Sequence, residues 1–327
     1  MEHSQVDIEG FVARSGPVDE DTAELSHLRK AYAQQLASFP SCLQQAGRAF
    51  LKRHTGRWHS VDWVLPLILG RAWSVSWGSR QTVALANAHM VIYGYIQQGA
   101  GEGHARGSRD MLPLGSLLCT RALRQYQQVF PLSSSFWTLL EGYQLEWAEA
   151  VLWQRERRWG QVRRYSREDV LRLAGNHALV KISGAAIALL AEKPRLLMSL
   201  GSVLDQVHVA TQLIDDLVNW QQDLQARRAT YFLTEAAFAV GARKMAALGR
   251  IKLGTFLSTS SLPGKVVKRA LSHLATAKKL VSQLEAPALM PYIDDLETAA
   301  KEIPHQFGDA QIEVLPSSEH VSVSLSF

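Results

Sequence analysis

The feature that most constrains this chain is a long helical run, 195–228, that is apolar for much of its length yet carries a column of polar side chains. From 200 to 218 nearly every residue is apolar or small, with Asp205, Gln206, His208, Thr211, Gln212, Asp215 and Asp216 embedded among them. Carboxylates are rarely buried unless they are paired or bound to a metal. Residues four apart share a helix face, so Asp215, Asn219 and Asp223 form one line of oxygen ligands. Two carboxylates and an amide are hard donors of the kind Mg²⁺ accepts while keeping several waters, and such sites complete their shells with substrate phosphate. Arg227 and Arg228 follow within about a turn and a half of helix. A guanidinium fork matches phosphate oxygens in pairs, so the segment reads as a clamp for magnesium and diphosphate. The alternative is a solvated acidic face followed by a basic last turn that complements the helix dipole.

Upstream, Ser166 and Asp169 have the spacing of a capping box, which predicts a helix start near residue 167. Lys181 then falls among Val180, Ile182, Ala185 and Ala186, where a bare ammonium is costly unless it reaches water or an anion.

The segment from Gln212 to Tyr231 resembles the second aspartate-rich motif of the class I isoprenoid synthase superfamily, which includes trans-prenyl diphosphate synthases and class I terpene cyclases. In the synthases the run is Phe-Gln, then Asp-Asp-x-x-Asp, then Gly-Lys-x-Thr. Here Thr211 with Gln212, Asp215 and Asp216 with Asn219, and Arg228 with Thr230 stand in those places. The cyclases carry ligands at i, i+4 and i+8, a spacing that Asp215, Asn219 and Asp223 also fit. Lys181 and Ile182 resemble the Lys-Thr pair that sits at a helix kink in the synthases and holds diphosphate. The alternative for Lys181 is a snorkelling surface lysine.

The superfamily's first aspartate-rich motif is degraded. Its helix corresponds to 81–98, where Ala88, Val91, Ile92, Tyr95 and Ile96 make an apolar face at helical spacing. Laid on Asp-Asp-x-x-Asp, the end of this helix gives Gln98, Gly99 and Glu102, so only Glu102 keeps a charge. Arg106 with Gly107 resembles the basic residues that follow the motif. Glycines at 99, 101 and 103 each cost a helix roughly 1 kcal/mol relative to alanine, which predicts that the helix stops near Gln98. The Gly-x-Gly-x-Gly follows a helix rather than a strand and lacks a P-loop Lys-Ser/Thr, so it is a weak signal for a phosphate-cradling loop.

Composition narrows the remaining classes. The 327 residues show no Pro/Gly/Ser-rich divide, which predicts one α domain over 21–304 between a mobile tail, 1–20, and a loose end, 305–327. A hydrophobic content of 47 % is enough for a sizeable core. Helical periods dominate and alternating β patterns are scarce, so the expected fold is an all-α, single-domain bundle of about ten to twelve helices around a central cavity. Helices are predicted at 22–39, 41–54, 61–73, 81–98, 114–129, 135–159, 167–192, 195–228, 231–240, 244–256, 265–285 and 291–303. No run of about 18 uninterrupted apolar residues predicts a membrane span, and the polar start is unlike a signal peptide. Cys42 and Cys119 lack metal-ligand spacing, which points to a reducing cytoplasm. The net charge of +5 suits an anionic substrate, whereas the scattered basic residues carry no nucleic-acid motif. The eleven histidines show no zinc spacing such as His-Glu-x-x-His, and no nucleophile constellation or dinucleotide fingerprint is present. Asp294, Asp295 and Glu297 read as a solvated face, and Trp147 and Trp153 as core.

The resemblance implies an enzyme that ionises a linear prenyl diphosphate with Mg²⁺ and cyclises it, releasing diphosphate. A trans-prenyltransferase is the runner-up, and a noncatalytic partner subunit or diphosphate-binding pseudoenzyme the third reading. Asp215, Asn219 and Asp223 would hold the metal, with Glu102 a further candidate and Asp216 as an alternate ligand. Lys181, Arg227, Arg228, Tyr231 and Arg106 would grip the diphosphate. Val91, Gly94, Tyr95, Gln98 and Gln212 would line the substrate pocket. A homodimer or a heteromeric partner fits the superfamily's habit.

Overall fold

The computed structural model describes residues 20–54, 61–101, 111–158, 162–242, 244 and 247–309, and among these every regular element is helical. In chain order the helices are α1 (Glu20–Ala37), α2 (Ser41–His54), α3 (Val61–Ala72), α4 (Trp77–Gly101), α5 (Leu112–Val129) and α6 (Phe136–Arg158). Next come α7 (Arg167–Arg172), a 3₁₀ turn (Leu173–His177), α8 (Ala178–Leu190), α9 (Leu197–Val218) and α10 (Trp220–Gln225). The chain continues through α11 (Tyr231–Ala239), α12 (Arg250–Thr259), α13 (Leu262–Val281) and α14 (Met290–Asp309). The expected all-α fold is therefore present.

Helix α8 lies at the centre of the bundle, packed against α3, α4, α6 and α9. Every residue from Ala178 to Ala188 is buried, and small side chains let the neighbours come close. A Cβ on Gly184 would stand 2.8 Å from Leu200 Cδ2 of α9, and one on Gly175 would stand 2.6 Å from Ala150 Cβ of α6. Around this centre α4 runs along α5, and α9 along α13. The stretch Arg167–Leu190 is apolar and long enough to cross a membrane by composition, but its most apolar window is 83 % buried, the condition of a core helix. It is also broken, because the 3₁₀ turn interrupts it.

Several expected boundaries change. The capping box at Ser166 forms as expected, with Asp169 N donating to Ser166 Oγ at 3.1 Å and Ser166 N donating to Asp169 Oδ2 at 2.9 Å. The helix it starts lasts one short segment before tightening into the 3₁₀ turn over Leu173–His177. The predicted 195–228 helix breaks at Asn219, and 244–256 is replaced by Arg250–Thr259. Helix α4 does not stop at Gln98 but runs to Gly101. Tertiary bonds outweigh the glycine cost there: Arg155 Nη2 donates to the Gln97 carbonyl at 3.0 Å, and Gln98 Nε2 to the Asn176 carbonyl at 2.9 Å. Glu102 and Arg106 lie outside the described residues, as do most of the two tails. Helix α14 runs past 304 to Asp309.

One buried contact between α4 and α5 couples the fold to pH. His89 is buried, its Nδ1 donating to Gln125 Oε1 at 2.9 Å, with Tyr32 of α1 beside the ring. Burial, aided by the Arg121 charge, pushes its pKa down to about 4. The folded imidazole stays neutral where the unfolded one, near 6.5, takes up a proton, so this group's support for the fold is lost as pH falls from 6.5 towards 4. Over that interval the effect is about 3 kcal/mol. Urea titrations across it should show wild-type stability falling with acidity and His89→Gln flattening the slope; parallel curves would refute the assignment.

Candidate functional site

Helix α9 presents the polar column expected from sequence, and the structure divides it into three groups. The first is at the Asp215 end. Asn219 closes α9, yet Asn219 N still donates to Asp215 O and Asp223 N to Asn219 O, both at 2.9 Å, so the column crosses the break into α10. Asp215 is exposed and accepts from Asn219 Nδ2 at 2.8 Å. Asp216 is buried, accepting from Gln212 Nε2 at 2.7 Å and from the Tyr231 backbone N–H at 2.9 Å. That N–H belongs to the first turn of α11, whose start is capped by Thr230. Asp223 is also buried and accepts from Arg228 Nη1 at 3.0 Å.

Arg227 follows α10 with φ of 55°, a left-handed position that glycine usually takes, and its side chain is exposed. The turn it makes brings the Arg228 N–H back to the Asp223 carbonyl at 2.8 Å. Tyr231 is buried: its ring stacks edgewise on Tyr165, and its hydroxyl accepts from Arg269 Nη1 of α13 at 3.0 Å. Arg228 thus stands against Asp223 while Arg227 faces solvent, and the Tyr231 hydroxyl is engaged by a residue that sequence reasoning did not single out.

Donor chemistry at this end suits a divalent cation. Burial, with the Asp223 and Asp215 charges, pushes the Asp216 carboxyl well above the usual carboxylate range. Asp215, Asp216 and Asp223 thus interact as one acidic group, and Asp215 with the Asn219 amide oxygen could supply hard ligands of the kind Mg²⁺ takes. The α4 wall supplies no described carboxylate: Gln98 donates its amide to the 3₁₀ turn.

The second group is Lys181. It is 5 % exposed and its Nζ lies 2.6 Å from both Glu146 Oε1 of α6 and Asp205 Oδ1 of α9. Burial opposes its charge, but Asp205 and Glu146 hold the ammonium above its ordinary value. Asp205 precedes Asp215 by ten residues, roughly 15 Å of helix, and Lys181 is engaged at the Asp205 level of α9. Its ammonium is met by carboxylates, not by water as in a snorkelling lysine.

The third group was not foreseen. Asp62 of α3 is buried and receives His208 Nε2 on Oδ1 at 3.0 Å and His177 Nδ1 on Oδ2 at 3.3 Å. Tyr95 of α4 donates its hydroxyl to Oδ2 at 3.4 Å. The two imidazoles stack with centroids 4.7 Å apart. Burial works against the charge on Asp62, yet the histidine hydrogen bonds hold its carboxyl well below the usual range, and burial lowers the His208 pKa. Sequence offered only a faint signal, one acid in an apolar helix and two histidines far apart in the chain.

The expected pocket wall is part of this packing. Val91 and Gly94 are buried, a Cβ on Gly94 would meet Leu179 Cδ1 at 2.8 Å, and Tyr95 faces Asp62. Trp147 packs on Tyr93, and Trp153 on Tyr165 beneath the Arg157 guanidinium, so these aromatics belong to the core. Lys278 bridges Asp294 and Glu297, which leaves the late acidic box as a partly exposed ion-pair cluster.

Two solved structures share this architecture. The geranylgeranyl pyrophosphate synthetase from the archaeon Geoglobus acetivorans superposes with a TM-score of 0.63 at 16 % identity, over 88 % of this chain and 99 % of that one. The heptaprenyl diphosphate synthase from Staphylococcus aureus gives 0.64 at 14 % identity, over 88 % and 98 %. No protein-family model and no curated protein sequence matches the chain. The likeness is one of fold, and the chain has the all-α fold of the class I isoprenoid synthases.

The pairing of Arg228 with Asp223 yields a stability test. Arg228→Met takes the guanidinium from a buried carboxylate and should destabilise the protein by about 3 kcal/mol. Adding Asp223→Asn should recover much of that loss, as a double-mutant cycle read by chemical denaturation would show. Additive losses would mean that the two side chains act independently.

Proposed function

We propose that this chain, with its class I isoprenoid synthase fold, acts on a prenyl diphosphate with Mg²⁺ and transfers the prenyl group to a second isoprenoid unit. The observation that carries the proposal is the α9 column, in which Asp215 and Asn219 remain side by side at the exposed end while Asp223 and Arg228 stand one turn beyond. The two synthases that share the fold favour prenyl transfer over cyclisation.

Each residue has a separable task. Asp215 and the Asn219 amide oxygen would hold the metal, and Mg²⁺ when bound would neutralise the charge of the departing diphosphate. Arg228 and the exposed Arg227 offer guanidinium groups to its oxygens, which stabilises developing negative charge electrostatically. Asp216 acts from behind: it fixes α9 to the start of α11 and so keeps Asp215 oriented. Gln212 steadies Asp216 in turn.

A second reading, cyclisation of a single prenyl diphosphate, rests on the i, i+4, i+8 spacing of Asp215, Asn219 and Asp223. It also draws on Gln98 and Gly99, which stand where an elongating enzyme would want carboxylates for a second diphosphate.

Incubation with Mg²⁺ and C10, C15 or C20 prenyl diphosphates, with and without isopentenyl diphosphate, separates the readings. Extended diphosphates are expected, together with a loss of about a hundredfold or more in Asp215→Asn, equivalent to ~2.7 kcal/mol of barrier. A cyclised product from one substrate would select the second reading. A folded protein that turns over none of them would sink both and favour a noncatalytic partner role.

A further inference from the structure

We propose that Asp62, His177 and His208 form a second, buried site for a divalent transition metal ion of the zinc class, separate from the magnesium position at Asp215. His208 lies two turns before Asp215 on α9, roughly 10 Å along the axis.

Donor type comes first. Two imidazoles and one carboxylate suit zinc, iron, copper or nickel, whereas magnesium prefers oxygen ligands alone. These three side chains come from α3, the 3₁₀ turn and α9, and one ligand atom from each lies within 4.8 Å of the other two. The spacing also fits. Ligands held about 2.0–2.1 Å from a tetrahedral ion stand roughly 3.3–3.4 Å from one another. His208 Nε2 lies 3.0 Å from Asp62 Oδ1 and His177 Nδ1 3.3 Å from Oδ2, so an ion would be admitted by drawing the three ligand atoms together from within 4.8 Å.

Among the described residues no lysine or arginine side chain bonds to Asp62, whose carboxylate meets the two imidazoles and the Tyr95 hydroxyl. A dication bound there would give the buried carboxylate a full counter-charge.

The surroundings hold the ligands in place, as outer partners of metal ligands do. Asn87 Nδ2 donates to the Asp62 carbonyl at 2.7 Å, Tyr95 reaches the carboxylate, and ring stacking fixes the two imidazoles against each other. Binding through Nε2 moves the His208 proton to Nδ1. That atom is buried and has no hydrogen-bond partner, so metal binding has to outweigh the cost of leaving this N–H unmet. The 3₁₀ turn, a device often found at functional sites within helices, ends at His177 and sets its direction.

The test uses the full-length protein, stripped with a chelator and titrated with Co²⁺ and Zn²⁺ in the presence of excess Mg²⁺. Uptake of one ion per chain is expected, with visible Co²⁺ absorption and a raised melting temperature. Asp62→Asn and the conservative His177→Gln, each checked for helical content by circular dichroism, should weaken Co²⁺ binding by at least about a hundredfold, because a direct ligand contributes more than the 10–100-fold of an outer partner. Asp215→Asn should leave the absorption unchanged. A folded wild type that takes up neither ion, or absorption that persists in both the Asp62 and His177 variants, would overturn the proposal and leave a hydrogen-bonded triad.

Discussion

The interior of this bundle depends on one buried carboxylate. Asp62 joins α3 to α4 through Tyr95, to the turn before α8 through His177, and to α9 through His208. Its own backbone carbonyl is fastened to α4 by Asn87. Hydrogen bonds to a charged group contribute about 1.5–3 kcal/mol each, and stranding a buried acceptor costs its desolvation as well. Four elements that meet largely through apolar side chains therefore acquire a fixed register. Hydrophobic burial draws such helices together but is non-directional, whereas this contact has geometry.

The same principle governs the Lys181 clasp a few residues away. There a cation is the buried member and two half-exposed carboxylates are its partners, so α6, α8 and α9 are tied by charge. At the Asp215 end the sign reverses again. There the buried members are the carboxylates of Asp216 and Asp223, met by the Tyr231 N–H and by Arg228.

How much could be read from the amino acids follows from the range of each interaction. The α-helical class and the Asp215, Asn219 and Asp223 line were legible because helical period and i+4 spacing are local. The Ser166 capping box was legible for the same reason. The break at Asn219 and the 3₁₀ turn at Leu173–His177 were not, since tertiary packing sets them against a sequence that would support continuous helix. Glycine propensity misjudged the end of α4, where two long-range hydrogen bonds decide. The Asp62 group joins residues more than a hundred positions apart from either histidine, so no spacing rule could find it. A search for zinc ligands along one helix fails when each ligand comes from a different element.

Asp216 has a consequence for how the molecule carries force. Its carboxylate clasps the first N–H of α11, and the next link, the Tyr231 hydroxyl, is gripped by Arg269 on α13. A push on the solvent-facing end of α9 thus has a continuous path of short polar contacts into a helix that already lies along α9. The exposed end of α9 that carries Asp215 is braced from behind as a closed triangle, α9 to α11 to α13 and back, so it will resist tilting more than a free helix end would.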